Sequence, residues 1–162
     1  MESPHLYFFR FDIPLPPDGS PWTCIGANGD LTVIGGQRGA LLIGRSQTAA
    51  GPFELCGRVD LPTDAAVAKA ALSSDGEALA VGTADGQVLV VLHPCDPSSW
   101  QLVQPIHYTM SGQDGGDGTT TTTTRLHHIT AMCWSRDHCR LYVGDDRGVV
   151  VEIALAHIMT LP

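Results

Sequence analysis

The 162 residues suffice for one domain and fall short of two full enzymatic domains. With 43% hydrophobic and 16% charged residues the chain can bury a core, which excludes disorder throughout. Nine basic against seventeen acidic residues leave a formal net charge of −8, and the arginines are scattered from Arg10 to Arg147 around a single lysine, Lys69. No basic stripe exists to neutralise phosphates, so nucleic acid is excluded as an expected partner.

In chain order, residues 6–11 (LYFFRF) are apolar but short and broken by Arg10. They lack a preceding basic segment and a small-residue cleavage site, so they do not read as a signal peptide. The longest aliphatic stretch, Val88 to Leu92, is far below the roughly 20 residues of a membrane-spanning helix. The five cysteines (Cys24, Cys56, Cys95, Cys133, Cys139) are odd in number and widely spread, which suits reduced thiols in a cytoplasmic protein. Glycines and prolines punctuate short apolar runs along the chain, the pattern of many short strands and an all-β fold.

Three segments align without gaps: residues 25–43, 72–90 and 134–152. Each carries a small residue (Gly26, Ser73, Ser135), then Asn28, Asp75 or Asp137, and then the signature [IV]-G-x-x-x-G. That signature reads Ile34-Gly35 to Gly39, Val81-Gly82 to Gly86 and Val143-Gly144 to Gly148. The first interval is 47 residues and the second 62, the excess matching the polar tract SGQDGGDGTTTTTTR at 111–125, a low-complexity loop insertion. Within it, the run Thr119 to Thr124 could accept phosphate. Asn28-Gly29 and Asp75-Gly76 are strong turn formers and Asp137-His138 a weaker one. Each unit therefore predicts strand, turn, strand, turn, strand, the third strand being apolar at consecutive positions and covered on both faces.

A fourth strand is available before each unit, in residues 5–13, 53–61 and 100–108. Residues 63–74 are alanine-rich, but register with Ile129 to Trp134 predicts strand there too. Four strands per roughly 45-residue repeat is the arithmetic of a β-propeller blade. The expected architecture is an all-β, WD-like partial ring of about three four-stranded blades over residues 1–162. Three blades fall short of a closed ring, so either a longer chain or self-association would complete it.

Candidate sites compete with structural readings. Gly39 to Ser46 mimics a phosphate-binding loop, but Arg45 replaces the lysine and the middle residues are strand formers. His127, His128, Cys133, His138 and Cys139 have metal-ligand chemistry without metal-ligand spacing, and Cys133 reads as a small hydrophobe on a buried strand. Asp145 and Asp146 read as solvated turn residues bonding local backbone donors. No catalytic, cofactor or metal residue is expected. Gly35, Gly39, Asp75, Gly82, Asp85, Gly86, Gly144, Asp146 and Gly148 are expected as structural turn residues.

The second unit, Leu72-Ser-Ser-Asp-Gly76 through Leu79-Ala-Val-Gly-Thr-Ala-Asp-Gly86, resembles the WD-repeat pattern, although no Trp-Asp dipeptide closes any unit. Ile129-Thr-Ala-Met-Cys-Trp-Ser135 followed by Leu141-Tyr-Val-Gly-Asp-Asp-Arg-Gly148 resembles the third blade of the N-terminal propellers in the Hermansky-Pudlak syndrome 5 and tectonin β-propeller repeat-containing 2 families. That resemblance implies a non-enzymatic, cytoplasmic scaffold in vesicle traffic, lysosome-related organelle biogenesis or autophagy. It also implies partners among trafficking-complex subunits, with endosomal or lysosomal membranes reached only through them. The alternatives are another WD-type adaptor, such as a ubiquitin-ligase substrate receptor, and a nucleotide-binding protein using residues 39–46.

Overall fold

The computed structural model describes residues 13, 15, 16, 18–46, 53–96, 98–103 and 126–154. Among these, the first sheet runs in chain order through β1 (Trp22–Asn28), β2 (Leu31–Gly36), β3 (Ala40–Ser46) and β4 (Phe53–Asp60). The second repeats this with β5 (Val67–Leu72), β6 (Ala78–Thr83), β7 (Val88–Leu92) and β8 (Gln101–Val103). The third holds β9 (Ile129–Trp134), β10 (Arg140–Asp145) and β11 (Val150–Ala154). All pairings are antiparallel, and a 3-10 turn, Gln37–Gly39, joins β2 to β3.

The expected fourth strands need a correction of place. Residues 53–60 pair with β3 and residues 101–103 with β7, so each closes the outer edge of the preceding sheet instead of opening the next unit. The physical reason is chain economy: a strand that follows the third antiparallel strand pairs with its free edge before the chain crosses to the next blade. The 111–125 insertion and most of residues 5–13 lie outside the described residues. The alanine-rich segment is strand β5.

The repeated Ser-x-Asp explains the first turns. Ser73 Oγ donates to Asp75 Oδ1 at 2.5 Å and accepts from Ala78 N at 2.9 Å, while Glu77 N donates to Asp75 Oδ1 at 3.1 Å. Ser135, Asp137, Arg140 and Cys139 repeat these bonds in the third sheet. These two hairpins are thus closed by side-chain acceptors that replace backbone partners lost in the turn.

Two apolar layers hold the sheets together. Val33, Leu41 and Ile43 of the first sheet pack with Leu79, Val81 and Leu89 of the second. Ala80, Val88 and Val90 on the other face of the second sheet pack with Ile129, Leu141 and Val143 of the third. Leu79, Leu89 and Leu141 have no exposed surface, so truncating one to alanine would cost about 2–5 kcal/mol. The third strands β3 and β7 are buried on both faces as expected, but β11 alternates between exposed and buried. It alternates because only one face of the third sheet meets another sheet among the described residues.

Gly35, Gly82 and Gly144 lie within β2, β6 and β10, a correction to their reading as turn residues. At Gly35 a Cβ would stand 2.5 Å from Val67 Cγ1, and at Gly82 it would stand 2.7 Å from Ile129 Cγ2 and Met132 Sδ. These glycines admit the innermost strand of the following blade. Gly39, Gly86 and Gly148 do sit at turns, with φ of 69°, 84° and 81°.

Candidate functional site

The innermost strands β1, β5 and β9 stand side by side, so the turns that follow them share one edge of the stack. On that edge each blade reaches into the next. Asn28 Nδ2 donates to Ser73 O at 2.6 Å, and at the equivalent position of the second blade Asp75 Oδ2 meets His138 Nδ1 at 2.7 Å. His138 Nε2 in turn contacts Ser74 Oγ. With Nδ1–H donating to Asp75, Nε2 is left to accept the Ser74 hydroxyl proton. Burial raises the Asp75 pKa, but hydrogen bonds from Ser73, His138 and Glu77 N outweigh it and bring the carboxyl down to about 2.

Beside this cluster a cavity of about 480 Å³ opens between the inner strands, lined by Asn28, Ala71, Ser74, Trp134 and Arg136 among others. Trp134 is fixed there because its indole N–H donates to Ala71 O at 2.8 Å across the blade boundary. The order Ser74–His138–Asp75 is that of a proton relay, in which histidine takes the serine proton and aspartate orients the ring. The same bonds tie two blades together.

On the opposite edge lie the second turns. Thr83 Oγ1 donates to Asp85 Oδ1 at 2.5 Å and accepts from Gln87 N at 2.9 Å. In the third blade Asp145 stands where Thr83 stands in the second. Its Oδ1 accepts from Arg147 N at 3.0 Å and Val149 N at 2.9 Å, and its Oδ2 accepts from His127 N at 3.0 Å. These bonds, that from His127 foremost, hold its carboxyl below the usual aspartate value. Asp145 is buried at 7% exposure, which corrects its reading as solvated: a carboxylate with three backbone donors needs no water. Asp146 is exposed, and its carboxyl is lowered by His127, whose Nδ1 lies 2.8 Å from Oδ1. Close by in the preceding turns, Arg38, Thr63, Asp64, Asp85 and Gln87 line a polar concavity of about 610 Å³.

The histidines and cysteines close in sequence are separated by the hairpin. His127 and His128 are at the second-turn edge and His138 and Cys139 at the first-turn edge, and no group of three metal-ligating side chains assembles among the described residues. Cys133 is exposed, not buried, because its face of β9 has no sheet against it among the described residues. The phosphate-loop look-alike is the tight turn at Gly39 and strand β3, its backbone paired to β2 and β4, and Arg45 is ion-paired to Asp30 at 2.9 Å. Sequence spacing missed the Ser74–His138–Asp75 cluster, because His138 lies more than 60 residues from the other two; its one trace is a non-glycine where the other two units have Gly29 and Gly76.

Neither a sequence-family model nor a curated protein sequence matches the chain. Among solved structures it is similar to the C-terminal WD40 domain of Sif2, at TM-score 0.58 and 12% identity over 85% of this chain and 36% of that one. The fold is a WD-type β-propeller. Sqt1 of Saccharomyces cerevisiae also matches, at TM-score 0.47 and 16% identity over 88% of this chain and 50% of that one. The WD-type propeller described here thus spans a third to a half of the length of these structures.

Proposed function

We propose that the chain is a non-enzymatic scaffold that presents the turn edges of its blades to other proteins. The observation that carries this reading is the way both rows of turns are fixed. Side-chain bonds inside the turns of the second and third blades and clamps between blades hold exposed residues such as Asp85 and Asp146 in set positions at a polar rim, which Arg38 and Asp64 extend. A rigid surface loses little entropy on binding, which favours recognition by shape and charge.

The setting is vesicle or endolysosomal traffic in the cytoplasm, with trafficking-complex subunits as partners. Support for that narrower reading comes from the run Ile129 to Ser135 with Leu141 to Gly148 and its likeness to the two trafficking propeller families. Proximity labelling in cells, with the chain and a variant carrying Asp64→Arg and Asp85→Arg, tests it. Enrichment of endolysosomal or secretory-pathway coat and tether subunits, lost in the variant, is the expected result. Enrichment of ubiquitin-ligase subunits instead would replace it with the adaptor reading.

A further inference from the structure

Blade contacts among the described residues follow one plan, and each end face of the described stack carries positions of that plan that meet no other blade. In the second blade, Leu72 and Leu102 turn toward the first and pack into the layer between them. The positions 47 residues earlier are Ile25 and Leu55, on the outer side of the first blade, where they are 69% and 51% exposed. Between them Ile34 and Leu42 are already buried within the chain, so a contact on this side runs through the two ends of that row.

At the other end the third blade presents its far face. Leu41 and Val88, buried against the next blade, correspond to Val150, which is 67% exposed. Gly35 and Gly82 are pressed by the following blade, whereas a Cβ on the equivalent Gly144 would meet nothing closer than 3.7 Å. Gly144 has no positive φ to require glycine either. Ile25, Leu55 and Val150 are three of the four large hydrophobic side chains exposed among the described residues, the fourth being Leu15. Exposed apolar surface is therefore concentrated on the two faces that the repeat plan would pair.

We propose that a second copy of the chain brings these faces together head to tail, the first blade of each copy packing on the third blade of the other. Both halves of the contact are carried by one chain, so the contact is heterologous and closes when the two copies are related by half a turn. Two copies of the three described sheets supply six blades, within the range of roughly 4–8 in closed propellers. Arg140 and Glu152, paired at 3.3 Å on the far face of the third blade, stand where the first two blades have buried Leu31, Ile43 and Val90 and half-buried Ala78, and they form the polar part of this interface. The inference rests on blade geometry and stands or falls apart from the identity of any trafficking partner.

The test is molar mass by light scattering and sedimentation over a roughly hundredfold dilution series of the full chain, with circular dichroism to confirm folding. The expected result is a species of twice the 17.2 kDa chain mass. Val150→Arg and Ile25→Arg, both at exposed positions, should each give folded monomers. Mixing the two variants should restore a dimer, because one intact pair of faces remains. A wild-type monomer throughout the series overturns the proposal, as does a dimer that survives both substitutions. Dissociation by Val150→Arg alone, pointing to a face-to-face contact between third blades, overturns it too.

Discussion

His138 adopts the left-handed backbone conformation, φ 59°, that Gly29 and Gly76 adopt in the preceding units, and from there its Nδ1 reaches Asp75 Oδ2 of the neighbouring blade at 2.7 Å. A non-glycine residue in this region carries strain of order 1 kcal/mol. The bonds to Asp75 and Ser74 offset it, so the turn trades local ease for a tie between blades.

That trade predicts an order among substitutions. His138→Ala keeps the strain and loses the bonds, so it should destabilise the chain by about 2 kcal/mol. His138→Gly loses the bonds but relieves the strain and should cost roughly 1 kcal/mol less. Urea denaturation of the two variants measures the difference, and equal midpoints would remove the strain from the account.

Acid should act through Asp75. Its folded pKa of about 2 lies below the ordinary 3.8, so its contribution to stability is complete above that ordinary value and is lost as pH falls through the folded one. The stability gap between the wild type and Asp75→Asn should therefore be constant near neutral pH and close between about pH 4 and pH 2. Urea midpoints across that window decide it. A gap that persists at the acid end would assign the effect to packing.

Ser74, if it serves only as part of the clamp, should not be a nucleophile. A fluorophosphonate probe should leave it unmodified, as read by intact-mass spectrometry of the folded chain. Stoichiometric labelling at Ser74 that disappears in His138→Gln would sink the non-enzymatic reading and make the cluster a catalytic relay.

Glycine position separates the two inner blade contacts from the end face. Gly82→Ala forces a Cβ to 2.7 Å from Ile129 and Met132 and should lower stability by about 1–3 kcal/mol. Gly144→Ala brings its Cβ no closer than 3.7 Å, an ordinary contact with Ala131, and should leave the stability of the separate chain within about 0.5 kcal/mol of wild type. Thermal unfolding at low protein concentration compares them.

Repeats made much of the fold legible in the sequence. The aligned Ser73/Ser135 and Asp75/Asp137 are the residues that close the first turns, and the [IV]-G-x-x-x-G signature marks the second strand and its turn. The Ser-x-Asp bonds span only a few residues, which a periodic pattern records directly, whereas the glycine that opens the signature recurs because Gly35 and Gly82 each face the innermost strand of the next blade. The outer strands 53–60 and 101–103 were assigned to the wrong neighbour because pairing partners are a choice between sheets, and no local residue encodes it. Asp145 was read as solvated for a related reason: the donor His127 lies 18 residues away, beyond the turn that sequence can see.

By itself the sequence determined a period, its turn chemistry and an all-β architecture, since turn glycines and Ser-x-Asp bonding act over short chain distances and the repeat shows them at a fixed spacing. Tertiary structure alone decided that Ser74, Asp75 and His138 meet, that Cys133 is exposed and that Ile25, Leu55 and Val150 lie on the two end faces. Those outcomes depend on how one sheet stacks on the next, where residues more than 60 positions apart come within hydrogen-bonding distance and identical repeat positions acquire different neighbours.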